Sequence, residues 1–192
     1  MQMDKIIEIL NRSIRGELIA KRKYELFSDI ATKEDLFTIA ILFKAVSYAE
    51  SIHVKNHSVM LTNLTKEKVD INKYFKDLDF GFQDQIKSTR VNLLNSQVSE
   101  NFEYEDKYKN FKVLAKKYGY PELETHFSLI RLSEKSHADL FSYFIKRLID
   151  EDFEDSITFH VCRNYGNIIL NEVPDTCPLC GKAKDVYIDI SI

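Results

Sequence analysis

The strongest constraint in this 192-residue chain is a Glu-x-x-His pair that occurs twice, as Glu50/His53 in AESIHVKNH and as Glu134/His137 in SEKSHADLF. Each pair lies inside a long stretch of helical apolar spacing, so its two members point the same way. A carboxylate and an imidazole aimed together into a helical core are costly to bury unless a cation receives them. Two further stripes supply more carboxylates, Glu17 on the first and Glu100 and Glu103 on the third. The set reads as a dinuclear metal site held among four helices.

The first stripe runs Ile6, Leu10, Ile14, Glu17, Ala20, Tyr24, Phe27, Ala31, and the second Leu36, Ala40, Phe43, Val46, Glu50, His53, His57, Met60. The third runs Ile86, Leu93, Glu100, Glu103, Asn110, Leu114, and the fourth Phe127, Ile130, Glu134, His137, Phe141, Phe144, Leu148. The acids fall in register with apolar residues at spacings of three, four and seven, whereas surface glutamates drift off such a face. Five carboxylates in one core would repel, and most would have to stay protonated. Two divalent cations nearly cancel that charge and leave two neutral imidazoles as nitrogen ligands. Ferritin-like carboxylate bundles use one Glu from each of two helices plus Glu-x-x-His from each of the other two; this chain has one carboxylate more. A chance surface pair accounts for one such motif better than for two with complementary glutamates.

Breaks in the pattern set the organisation. Helices are expected over about 4–31, then to about 64 after a Thr32-x-x-Asp35 capping pattern. A crossover over 65–82 lets the third helix run parallel to the second. Tyr118-Gly119-Tyr120-Pro121 separates the third helix from a fourth that ends near 150. Glu17 precedes Glu50 by 33 residues and Glu100 precedes Glu134 by 34, so the halves look duplicated, with Glu103 the one addition.

A formal charge of −3 implies no nucleic-acid or anionic-membrane surface. The first residues carry acids and a helical period, unlike a signal peptide, and the apolar run over 36–43 is too short to span a bilayer. Three cysteines, two of them in C-x-x-C, read as metal ligands in a reducing compartment, so a cytoplasmic location is expected. His57 reads as a helix-end histidine more readily than as a partner of the ligands. His126, with no carboxylate three residues before it, is expected at the surface. Lysines 109, 112, 116 and 117 favour the dipole of the third helix.

The chain resembles the rubrerythrins over nearly its whole length. The residues that carry the likeness are Gly16, Glu17 and Tyr24, the AE-x-x-H-x-x-x-H of the second helix, ENFEYEDKY in the third, E-x-x-H in the fourth, and a tail similar to a rubredoxin domain. The resemblance implies a mainly α fold: a ferritin-like four-helix bundle with a crossover over 1–150, a linker over 151–158, and a rubredoxin-like β/knuckle domain over 159–192. It implies two irons held by Glu17, Glu50, His53, Glu100, Glu103, Glu134 and His137. In that reading Glu50 and Glu134 bridge, His53 and Glu103 exchange on oxidation, and Tyr24 and Tyr108 stand beside the irons. The implied activity is reduction of hydrogen peroxide to water in oxidative-stress defence, by a homodimer served by a rubredoxin or a rubredoxin reductase. A ferritin-like ferroxidase and a non-catalytic metal-binding bundle are the alternatives.

The tail departs from the rubredoxin pattern. A rubredoxin holds iron with two C-x-x-C-G knuckles. Here Cys177, Cys180 and Gly181 form one of them. The other reads Cys162-Arg163-Asn164-Tyr165-Gly166, with tyrosine at its second cysteine position. Phenol oxygen binds ferric iron, but Tyr165 is too long to place its oxygen at a thiolate's position without the loop moving, and His160 is another candidate ligand. Two outcomes stay open: a domain folded without metal or holding zinc loosely, and a working iron or zinc site on Cys162, Cys177 and Cys180.

Overall fold

The structure, a computed structural model, describes residues 2–77, 86–150 and 157–191. Its bundle consists of α1 (Gln2–Lys33), α2 (Phe37–Thr65), α4 (Thr89–Phe102) continued through a π-turn (Glu103–Lys107) into α5 (Tyr108–Lys117), and α6 (Pro121–Asp150), with a short α3 (Ile71–Asp77) after α2. α1 packs mainly along α2, and α4 and α5 along α6.

Two apolar clusters fix the directions. One joins Tyr24 and Phe27 of α1 to Phe43 of α2, Leu93 of α4 and Phe141 of α6. The other joins Ile6 and Leu10 of α1 to Leu61 of α2, Phe111 of α5 and Phe127 of α6. The early half of α2 thus meets the early half of α4, so these two helices run parallel, as a crossover requires. Part of that crossover, 78–85, lies outside the described residues, as does most of the expected linker, 151–156. The metal-ligand candidates lie midway along every helix, between the two clusters.

α2 is apolar on several faces because it is enclosed. By length and composition it could cross a membrane, but 67% of its most apolar window is buried inside the protein. The expected Thr32-x-x-Asp35 cap is not formed. The Thr32 hydroxyl donates back to Ser28 O at 2.9 Å, Asp35 turns the chain at φ 59°, and Leu36 takes the N-cap position without a side-chain bond.

The π-turn changes one stripe. An unbroken α period from Glu103 would carry Asn110 and Leu114 inward. The wider turn shifts the inner face by one residue, so Tyr108, Phe111 and Ala115 are buried and Asn110 is exposed.

The tail forms β1 (Phe159–Cys162), β2 (Ile168–Leu170) and β3 (Tyr187–Ile190), a three-stranded antiparallel sheet in the order β2-β1-β3. Alternation turns Phe159 and Val161 onto the bundle, where both join the first apolar cluster and Phe159 stacks on Phe144 at 5.7 Å.

Candidate metal centre

Six of the seven expected ligands converge in two adjoining groups, Glu17, Glu50, His53 and Glu134, and Glu50, Glu100, Glu134 and His137. Within each group one ligand atom per residue lies within 4.8 Å of the others. Glu50 and Glu134 belong to both groups, where bridging carboxylates would have to be. His53 Nδ1 is 3.0 Å from Glu50 Oε2 and 3.1 Å from Glu134 Oε1. His137 Nδ1 is 3.1 Å from Glu134 Oε2 and 3.4 Å from Glu100 Oε2. The seventh residue, Glu103, belongs to neither group. Its carboxylate accepts from Lys107 Nζ at 2.6 Å, and the same ammonium donates to Glu17 at 3.1 Å.

The donor set fits a pair of divalent metals. Both carboxylate oxygens of Glu134 and Nδ1 of His137 are fully buried and, beyond those close ion-pair approaches, find no well-directed hydrogen bond among the described residues. Orphaned atoms of this kind, aimed at one another, are costly unless a cation lies between them. Without one, protons do part of the balancing. Burial and the charge of Glu103 hold the Glu17 carboxyl well above its usual range. Burial, reinforced by Glu50, pushes Glu100 up to about 8, and burial outweighs Lys107 in raising Glu103 to about 7. Burial would raise Glu134 as well, but the facing His53 holds it well below the usual range. Burial likewise opposes charging His53 and His137, yet the surrounding carboxylates keep both imidazoles well above their ordinary value.

Around the ligands, Tyr24 donates a short hydrogen bond to Glu100 from a nest formed by Phe43 and Phe141. Tyr108 pairs with His57 Nε2 at 3.0 Å, and His57 Nδ1 lies 2.8 Å from His126 Nε2. His57 is therefore a buried partner of the site, and His126, expected at the surface, is 1% exposed. The missed signal is the stripe itself: His126 precedes Ser133 by seven residues and His137 by eleven. Burial, and then the neighbouring His126, keeps His57 neutral, its pKa well below the ordinary value. Two further residues join the site without any motif of their own. Lys107 lies four residues after Glu103, and Ser133 Oγ sits 3.2 Å from His53 Nε2 and 3.4 Å from His137 Nε2.

The first knuckle closes the centre from outside. Tyr165 O accepts from His53 Nε2 at 3.2 Å, and Gly166 O from His137 Nε2 at 3.0 Å. Each imidazole thus faces the carboxylates with one nitrogen and is held by a backbone carbonyl at the other, which fixes tautomer and orientation. A Cβ at Gly166 would come 2.8 Å from His53 Nε2, so glycine serves a close approach there as well as a φ of 77°.

The tail's three thiols also converge. Cys162, Cys177 and Cys180 have their sulfurs within 4.8 Å of one another, with Cys162 and Cys180 3.7 Å apart, an arrangement that suggests a metal. Burial pushes the Cys162 thiol up to about 12. Burial also opposes ionising Cys180, but hydrogen bonds from the Asn164 side chain, the Lys182 backbone and the neighbouring thiols together outweigh it and lower that thiol. His160 is not part of this group. Its ring instead bonds Asp189 at 2.7 Å and Asn171 O at 2.8 Å. The Tyr165 ring packs on the second apolar cluster, 6.1 Å from the His126 ring.

Fold and site together define a ferritin-like bundle carrying two adjoining carboxylate–histidine groups, with a small cysteine-bearing sheet domain. The rubrerythrin family profile matches residues 8–145, and the chain belongs to that family. Rubrerythrin-1 of Clostridium acetobutylicum is 28% identical over 180 residues, 92% of this chain and 89% of its own. Nigerythrin of Nitratidesulfovibrio vulgaris is 28% identical over 186 residues, 94% and 84% of the two chains. A mixed-valence nigerythrin structure matches with a TM-score of 0.82 at 26% identity, covering 96% of this chain and 86% of its own. An all-ferrous nigerythrin structure gives 0.80 at 25%.

Proposed function

We propose that the protein is a non-haem diiron peroxidase that reduces hydrogen peroxide to water, H2O2 + 2 H⁺ + 2 e⁻ → 2 H2O. The observation that carries this reading is the pair of four-residue groups sharing Glu50 and Glu134, with the cysteine-bearing knuckle bonded to both histidines. The mixed-valence and all-ferrous states in which nigerythrin has been determined support iron as the resident metal. An iron pair held by Glu17, Glu50, His53, Glu100, Glu134 and His137 would supply two electrons at once and two adjacent Lewis-acid centres for the two peroxide oxygens.

The protein's own groups orient and supply. Tyr165 and Gly166 carbonyls aim the imidazoles, and Tyr24 steadies Glu100. Tyr108, neutral His57 and His126 form a hydrogen-bonded cluster beside Glu17, which holds polar hydrogens close to the centre. Electrons from an external carrier such as a rubredoxin or its reductase would arrive at the cysteine group. From there the turn that bonds Gly166 N–H to Cys162 O at 2.8 Å leads to the His137 ring. The reading places a homodimer in the reducing cytoplasm.

Stopped-flow mixing of the iron-loaded, reduced protein with each oxidant tests the proposal. Oxidation by peroxide should be much faster than by dioxygen; equal rates, or a faster reaction with dioxygen, would favour a ferroxidase.

A further inference from the structure

The π-turn brings one cation into the centre. Lys107 lies at the end of that turn, and its ammonium sits between Glu103 at 2.6 Å and Glu17 at 3.1 Å. Its side chain is only 13% exposed and lies against the Tyr108 ring, 4.6 Å from the centroid. The space it fills is left by Gly16, where a Cβ would stand 3.0 Å from Nζ. Gly16, Phe102, Glu103 and Lys107 also line a cavity of 560 Å³, behind which Glu17 is 1% exposed. Glu103 is the one expected ligand outside both metal groups, and it is the one that Lys107 bonds most closely.

We propose that Lys107 is a positioning residue that tethers Glu103 away from the metal pair, leaving His53 as the ligand of the group it shares with Glu17. The proposal rests on the dinuclear-metal reading. To join the centre, Glu103 must give up a charge-assisted hydrogen bond, among the stronger contacts a carboxylate makes. Keeping that carboxylate off the metals, with an ammonium beside them, lowers the negative charge around the centre and favours its more electron-rich form. Both effects act in the same direction, so Lys107 should raise the reduction potential.

The test uses the full chain loaded with zinc, which carries no redox chemistry, and then with iron. In zinc-loaded crystals of the wild type, Glu103 should stay on Lys107, and in Lys107→Met it should turn and bind metal. With iron, Lys107→Met should lower the fraction reduced at a fixed applied potential by at least tenfold in the reduced-to-oxidised ratio, 59 mV for a one-electron step. Lys107→Arg should restore the wild-type value. Gly16→Ala, which crowds the ammonium, should move the ratio the same way by a smaller factor and covers a failure of Lys107→Met to fold. Glu103 found on metal in the zinc-loaded wild type, or an unshifted potential in both Lys107→Met and Gly16→Ala, overturns the tether. A wild type that takes up no metal pair overturns the reading beneath it as well, an outcome told apart by metal content.

Discussion

The protein's two clusters of candidate metal ligands differ in opposite senses: the bundle has a donor to spare, and the tail is one short of the four thiolates of a rubredoxin. In the bundle the spare donor is Glu103, drawn aside by Lys107 while six residues serve the two groups. In the tail the deficit is Tyr165, whose ring has turned to the bundle's apolar interior. Both departures leave the backbone in place. The first knuckle keeps the hydrogen bond from Gly166 N–H to Cys162 O at 2.8 Å, and the second has the same bond from Gly181 to Cys177 at 2.8 Å. What the first knuckle does for the bundle therefore depends on its carbonyls and its glycine. A thiolate at position 165 is not needed for it.

The largest effect expected from this contrast follows from emptying one cluster. Glu50→Ala combined with Glu134→Ala removes both carboxylates common to the two groups, so iron in the bundle should fall from two per chain to none. Metal at the cysteines should be unchanged. Elemental analysis beside the wild type checks this, and retention of two bundle irons would sink the ligand assignment.

Next in size is a contrast between glycines. Gly166→Ala and Gly181→Ala both force a side chain into a left-handed conformation, at a cost of about 1–2 kcal/mol. A Cβ on Gly181 would meet none of the described residues within 4 Å beyond its chain neighbours, whereas on Gly166 it would strike His53 at 2.8 Å and Ala49 at 3.1 Å. Thermal unfolding of the two variants should therefore differ, with Gly166→Ala the less stable and also depleted in bundle iron. Equal losses would show that the knuckle does not press on the centre.

Tyr165→Cys supplies the missing donor. The wild type should lack the visible charge-transfer bands of an iron–tetrathiolate site, and the variant should gain them and reduce the bundle centre faster. A full set of bands in the wild type would mean that a fourth ligand comes from elsewhere.

The smallest effect is one of pH, in the metal-free protein. An unfolded glutamate loses its proton near 4.5, whereas folded Glu100 keeps it to about 8 and Glu103 to about 7. Over that window the folded state binds more protons, so these groups make stability fall as pH rises from about 4.5 to about 8. The raised His53 and His137 act in the same direction. The lowered Glu134 acts oppositely, its contribution being lost as pH falls below 4.5, and the lowered His57 and His126 do so below about 6.5, where unfolded imidazoles take up protons that the buried ones refuse. Metal loading, which needs ionised carboxylates, should flatten the decline. Melting temperatures of the two forms across pH 6.5–8, above the range in which His57 and His126 oppose the trend, decide the matter, and a metal-free Tm that climbs there contradicts the account.

Local periodicity made the bundle legible in the sequence. Two Glu-x-x-His pairs and three acids in register with apolar residues identify the four helices, their inner faces and the ligand candidates, because a buried carboxylate needs a reason that a surface one does not. The crossover follows from length, and the knuckles follow from Cys and Gly spacing. His126 is buried although no carboxylate stands three residues before it, and the informative signal is its seven-residue spacing to Ser133 on the inner stripe. His160 lies outside the cysteine group because its nitrogens bond Asp189 and Asn171, partners 29 and 11 residues distant in the chain.

By itself, then, the sequence determined which residue types can meet in the core and how they are spaced along each helix, since one helical period governs both. The tertiary structure alone decided the rest. It widened one turn of the third bundle helix so that Tyr108 replaced its neighbours on the inner face, set Lys107 against Glu103, and joined His57 to His126. It also pressed Tyr165 and Gly166 onto histidines more than 25 residues away in sequence. Those outcomes depend on how separate elements fit and which polar atoms must be satisfied once they are packed, a condition that no local spacing contains.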